Sequence, residues 1–247
     1  APAIAAGASV SVMLAKGTAA LPAVQAPTAA ALISSGYNVS TVLTFINPNT
    51  AVATINAATT LGSATPTPWL AGPLVNEWRV TTTANGSLLK ITFDIRAYAD
   101  GTTHTDVIYN NSWFFNPGKS DVKYNVAISQ NGTQVYSYSN IYQYLYSMWH
   151  KEIENGNPTP NIQYDVTYLA DAGAMQNYNL SLGVSDAAIQ SDYTALTAAK
   201  TAPMGTGNIT TYMPQTGGRP DIGPQPAWTA RWIISQNATA RKVMMAN

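Results

Sequence analysis

Lys90-Ile91-Thr92-Phe93-Asp94-Ile95-Arg96-Ala97-Tyr98 decides the fold of this chain. Ile91, Phe93, Ile95 and Ala97 alternate with Lys90, Thr92, Asp94, Arg96 and Tyr98. A period of two puts these sets on opposite faces of an extended strand, one buried and one wet. Residues 121–128 repeat the design, with Val122, Tyr124, Val126 and Ile128 opposite Asp121, Lys123, Asn125 and Ala127. One wet face per strand is the mark of antiparallel sheets packed as a sandwich. Between such segments stand Asn85-Gly86, Asp100-Gly101, Asn116-Pro117-Gly118 and Asn131-Gly132. Asn-Gly and Asp-Gly supply the positive φ angles of tight hairpin turns, so the region reads as a β-meander. Further strands are expected at 77–83, 103–109, 133–138, around 142–153, and at 161–169.

Upstream, residues 1–76 carry one charged side chain, Lys16. Residues 8–14, 37–46 and 51–55 are rich in β-branched and aromatic residues and read as strands. Residues 19–34 fit a short Ala-rich helix or an extended arm. Three prolines, Pro66, Pro68 and Pro73, oppose both helix and central strand, so residues 66–76 read as a linker. Downstream of Gly173 the period changes. Residues 185–200 predict a helix capped by Ser185, with Asp186 in its first turn and Lys200 near its end. Residues 203–226 are Gly/Pro-rich, a length at which loops tend to be functional or tied down by a neighbour. Pro226 suits the first turn of a helix to Ile234 that carries Trp228 and Trp232 on one face, and Asn237 suits the cap of a helix over 238–246. The expected organisation is a low-charge β segment for assembly (1–65), the linker (66–76), an antiparallel β-sandwich (77–180) and a helical, Gly/Pro-rich segment (181–247). The fold class is mainly β.

Composition bounds the function. The chain has 247 residues, of which 10% are charged, against about 25% in ordinary soluble domains. Asn, Thr, Ser and Tyr take their place, as on secreted proteins, cell-surface layers and virion shells. Twelve basic and twelve acidic residues cancel, which removes the electrostatic footprint of nucleic-acid binding. The lack of cysteine excludes disulfides, thiolate metal sites and cysteine nucleophiles. No apolar run is long enough for a membrane-spanning helix. Seven Asn-X-Ser/Thr triplets are read as chance in a chain this rich in those residues. The first residue is Ala, which implies a removed leader or a piece of a longer product.

The best candidate for ligand contact is residues 141–154, with four aromatic rings, one of the two histidines and two of the three glutamates. Drawn as one strand, this segment sends Tyr142, Tyr144, Tyr146, Met148, His150, Glu152 and Glu154 to one face, and Ile141, Leu145, Trp149 and Ile153 to the other. Rings stack on sugar faces while imidazole and carboxylates bond hydroxyls. Tyr142, Tyr144, Tyr146 and Trp149 are therefore glycan-contact candidates. A cross-strand structural cluster is the leading reading of the same rings. Glu152 and Glu154 stand near the lower end of the about 5 to 10 Å carboxyl separation that glycosidases use, which with His150 makes a weak catalytic set. Adjacent strand carboxylates more commonly form a solvated rim. A metal held by His150, Glu152 and Glu154 would need His104 or an aspartate as well, and His104 reads as an exposed loop residue. Trp113 is a further stacking candidate. In the Gly-rich stretch 212–231, Arg219 and Asp221 form an ion pair or grip a ligand; the glycine spacing required of a phosphate or dinucleotide loop is absent.

The order of β-meander, aromatic strand with Trp149-His150-Lys151, helix, Gly217-Gly218-Arg219-Pro220-Asp221-Ile222-Gly223-Pro224 and Trp228-Thr229-Ala230-Arg231 resembles the join between β-sandwich and α/α toroid in large polysaccharide-lyase-like bacterial and phage proteins. The resemblance spans roughly residues 74–247 and implies that Arg219 and Asp221 sit near the toroid mouth. The toroid that would carry catalysis is missing, since the chain stops after two short helices. The expected function is a structural, assembly-forming component of a virion or cell surface, such as a phage tail or fibre-associated protein. Its partners are copies of itself or other subunits, and a glycan. No cofactor, metal, nucleic acid or membrane insertion is expected, and the balance leans against an enzyme for the chain as given without deciding it. The alternatives are the N-terminal part of a polysaccharide lyase or glycosidase, and a secreted carbohydrate-binding module.

Overall fold

The structure, a computed structural model, describes residues 23–64, 66, 68–86, 88–111, 119–156, 163–209 and 225–247. It is mainly β, with two antiparallel sheets and short helices. The strands are β1 (Val39–Asn47), β2 (Ala51–Asn56), β3 (Leu70–Ala71), β4 (Val75–Ala84), β5 (Leu89–Tyr98), β6 (Thr103–Asn110), β7 (Val122–Gln130), β8 (Thr133–Gln143) and β9 (Met148–Asn155). The helices are α1 (Ala29–Ser34), α2 (Ala57–Ala64), α3 (Val166–Asp171), α4 (Asp186–Ala195), α5 (Ala227–Ser235) and α6 (Ala238–Met245). One sheet has the order β2-β1-β7-β8 and the other β3-β4-β5-β6-β9.

The alternation in β5 and β7 translates directly into burial. Ile91, Phe93, Ile95 and Ala97 from one sheet and Val122, Tyr124, Val126 and Ile128 from the other share a core with Leu43, Phe45, Trp78 and Tyr109. The turns behave as their residues dictate. Asn131 (φ 49°) and Gly132 (φ 84°) take the two left-handed positions that join β7 to β8, and Asn85 (φ 49°) and Gly86 (φ 61°) do the same after β4. At the third turn, Asp100 Oδ1 accepts from the Thr102 N–H (2.9 Å) and hydroxyl (2.7 Å), which hold its carboxyl below the usual range.

The expected boundary between a low-charge segment and the sandwich does not separate two sheets. β1 pairs with β7 along its whole length and lies between β2 and β7, so residues 39–56 build half of one sheet. The low charge of this segment belongs to strands such as β1, with a buried inner face, Val39, Thr41, Leu43 and Phe45, and an uncharged outer face, Ser40, Val42, Thr44 and Ile46. The proline-rich stretch is not purely a linker either, because Leu70–Ala71 pairs with β4. The strand expected at 8–14 lies outside the described residues.

Polar bridges join the two sheets across the core. The Tyr37 hydroxyl meets Thr105 Oγ1 at 2.8 Å, and Thr41 Oγ1 meets the Tyr109 hydroxyl at 2.7 Å. Trp149 Nε1 donates to the Tyr124 hydroxyl (2.7 Å), which donates onward to Gln143 Oε1 (2.6 Å). Gln143 Nε2 donates to the carbonyls of Tyr109 and Ser147, both at 3.0 Å. Burial pushes the Tyr37, Tyr109 and Tyr124 phenols up. They are neutral hydrogen-bonding groups, and each bridge is satisfied because both of its partners are buried with it.

The strand expected at 161–169 is instead α3 from Val166 onward. Asp165 accepts from the Tyr168 N–H and starts a helix that its β-branched neighbours alone do not suggest. Ser185 caps α4 as expected, through Ala188 N–H. The helix stops at Ala195, short of Lys200, because Thr197 takes the Lys200 N–H into a turn. α5 and α6 occupy the expected residues almost exactly where Pro226 and Asn237 begin them. Ile189, Trp228, Ala240 and Val243 supply the buried side chains of α4, α5 and α6, and Arg231 pairs with Asp192.

Candidate functional site

Residues 141–154, expected as one strand, are the passage of the chain from one sheet to the other. β8 ends at Gln143 in the four-stranded sheet and β9 begins at Met148 in the five-stranded one. The turn between them closes with Ser147 N–H donating to the Tyr144 carbonyl, and Tyr146 takes a left-handed conformation (φ 64°). Two side chains hold this corner. Asp121 accepts from Leu145 N–H at 2.8 Å and from the Tyr142 hydroxyl at 2.9 Å, a bond that raises the Tyr142 phenol. Asn111, fully buried, donates from Nδ2 to the carbonyls of Ser120 (3.1 Å), Gln143 (3.4 Å) and Tyr144 (3.2 Å). Its own backbone exchanges bonds with Tyr146 and Ser147.

The corner therefore divides the expected ring ladder. Tyr142, Tyr144 and Tyr146 stay exposed at 44%, 57% and 57%, next to an exposed Met148. The Tyr142 and Tyr144 rings meet edge to face, 5.1 Å between centroids. Trp149 does not join them. Its ring is buried and stacked on Tyr109 at 4.2 Å, so it serves the core and offers no face to a ligand.

His150, Glu152 and Glu154 lie past the corner, on the outer face of the five-stranded sheet. Register aligns that face in rows. One row runs Glu77, Arg96, His104, Glu154; the next runs Arg79, Asp94, Asp106, Glu152. His104 was expected in a loop, but it stands in β6, half-buried, with Nδ1 3.6 Å from Glu154 and Nε2 3.9 Å from Glu152. His150 Nδ1 lies 2.8 Å from Asp106. Arg79 grips Asp94 with two bonds of 2.6 Å, and Arg96 holds Glu77 at 2.9 Å. The three candidates thus do not converge: the glutamates flank His104 while His150 pairs with Asp106. Among the described residues no group of three such side chains has metal-ligand geometry. Chemically, the face is a set of proton-holding pairs on an open surface.

The His150 pair predicts a pH dependence. The Asp106 hydrogen bond, outweighing partial burial, raises the imidazole above its ordinary 6.5. A raised folded pKa contributes stability fully below the ordinary value and loses it as pH rises through the raised one. For so exposed a pair the effect is about 1 kcal/mol or less. Urea unfolding on both sides of neutrality should show this loss in the wild type. Asp106→Asn should remove it, and an unchanged slope in that variant would count against the pair.

Behind β9 lies a cleft of about 630 Å³ between the sandwich edge and the C-terminal segment. Tyr136 of β8, Met148 and Lys151 of β9, and the Thr201–Gly205 turn contribute to its lining. Sequence reasoning missed Lys151 here, because its signal, a cation between the inward-facing Trp149 and Ile153, has meaning only once β9 is known to be a sheet edge. It also missed Trp69, exposed at 77% with the Arg79 guanidinium 5.9 Å from its ring centroid. Trp113, Arg219 and Asp221 lie outside the described residues. No protein-family model, curated protein or solved structure matches this chain.

Proposed function

We propose that this chain is a structural component of a virion or cell surface that assembles with copies of itself or with other subunits and contacts glycans through Tyr142, Tyr144 and Tyr146. The observation that carries the reading is the corner between β8 and β9. Three exposed rings stand there, Tyr142 at the end of β8 and Tyr144 and Tyr146 on the turn that Asp121 and Asn111 fix from below. Rings held in place before binding lose little freedom when a sugar stacks on them, which is the physical requirement for affinity on an open surface. Sparse charge fits the same role, since the Thr, Ser, Asn and Tyr of the outer faces bond hydroxyls without strong fields.

A glycan array on the full chain, together with light scattering after size exclusion, tests this. Binding to neutral glycans is expected to fall at least tenfold in Tyr144→Ala. The melting temperature should stay within about 2 °C of wild type, because an exposed ring adds little stability. The chain should elute as a multimer. A clean monomer that retains no glycan would overturn the reading.

A further inference from the structure

We propose that the cleft beside β9 binds a carboxylate carried on a sugar, such as a uronic acid, with the Lys151 ammonium as its anchor. The choice of a sugar body rests on the glycan-contact reading above; the anion site rests on the cleft alone.

β9 is the edge of its sheet, and Lys151 falls in the inward-facing register between the buried Trp149 and Ile153. An ammonium entering a core at that point has to leave through the open side of the sandwich. Its head lies over the Tyr136 ring, 5.1 Å from the centroid, within the cleft. Among the described residues no carboxylate reaches salt-bridge distance of it, whereas Arg79 and Arg96 of the same sheet are each paired with one. The nearby carboxylates have partners of their own, Asp106 in His150 and both Glu152 and Glu154 in His104, although Glu152 also contributes to the cleft lining.

The walls suit a ring with apolar C–H faces and a hydroxyl rim. Met148, Met204 and Met245 with Tyr136 form adaptable apolar contacts, and the Thr201–Gly205 turn presents backbone groups. That turn is rigid. Gly205 N–H donates to the Ala202 carbonyl at 2.7 Å, a Cβ on Gly205 would collide with the Lys200 carbonyl, and Met204 packs against the sandwich core. A volume of about 630 Å³ accommodates one or two sugar units.

Titration calorimetry of the full chain with glucuronate, glucose and acetate tests the assignment. Glucuronate should bind at least tenfold tighter than either of the others. Lys151→Met, which keeps the stem over Tyr136, should abolish that preference, while Lys151→Arg should keep it and guards against a variant that merely fails to fold. Tyr144→Ala should leave glucuronate binding intact. Equal binding of glucose would overturn the anion anchor, and equal binding of acetate would overturn the sugar body. No binding, or loss in Tyr144→Ala rather than Lys151→Met, would overturn the site itself. The corner reading fails separately, through neutral glycans that do not respond to Tyr144→Ala.

Discussion

Trp149→Ala is expected to destabilise the fold by about 3 to 5 kcal/mol, the range for emptying a buried indole site. The ring stacks on Tyr109 at 4.2 Å and its Nε1 donates to the Tyr124 hydroxyl, so the change removes contact area from both sheets and one donor from the bridge between them. At ~2 to 4 °C per kcal/mol for a chain of this length, the melting temperature should fall by roughly 6 to 20 °C. Trp149→Phe keeps most of the stacking and leaves Tyr124 donating to Gln143, so it should cost only about 1 to 2 kcal/mol. Thermal and urea unfolding of both variants beside Tyr144→Ala would decide the matter. If Trp149→Ala behaved like the exposed tyrosine, the indole would not be the inter-sheet element described here.

Gln143→Glu should destabilise by about 2 to 4 kcal/mol at neutral pH, and much less in mild acid. Gln143 is fully buried, accepts from the Tyr124 hydroxyl and donates to two carbonyls. A carboxylate there keeps the acceptor but turns an oxygen toward the Tyr109 and Ser147 carbonyls, and burial raises its folded pKa above the ordinary value of about 4.3. Stability is therefore greatest below that ordinary value and falls as pH rises through the raised one. Gln143→Leu has no such titration and should cost about 2 to 4 kcal/mol at every pH, since it takes a donor from the buried Tyr109 and Ser147 carbonyls and the acceptor from the Tyr124 hydroxyl. Urea midpoints from pH 4.5 to 8 separate the two variants; parallel curves would refute the assigned bond pattern.

The residues that announced the fold are those whose local pattern and tertiary role coincide. Ile91, Phe93, Ile95 and Ala97 alternate because they face a core, and Asn131-Gly132 occupies a hairpin turn because both residues tolerate positive φ. Ser185 and Asn237 cap helices by bonds to residues two or three ahead, a reach the sequence displays in full. The candidate site was legible only in part. Tyr142, Tyr144 and Tyr146 are exposed, but the alternation that groups them with His150 and Glu152 is interrupted by a turn with no Gly or Pro to signal it. Its causes, Asp121 and Asn111, stand 24 and 33 residues away from the backbone atoms of Leu145 and Tyr144 that they bond.

By itself the sequence determined the strand periods, the hairpin turns, the helix caps and the uncharged character of the surface, because each depends on neighbours within a few residues. Only the tertiary structure decided which strands share a sheet. It drew β1 and β2 into the same sheet as β7 and β8 across some 70 residues, placed His104 between two glutamates, and sent Trp149 inward while its neighbour Lys151 emerged beside Tyr136. Such pairings depend on how two sheets bury their apolar faces against each other, and that choice is made by the whole core rather than by any local run of residues.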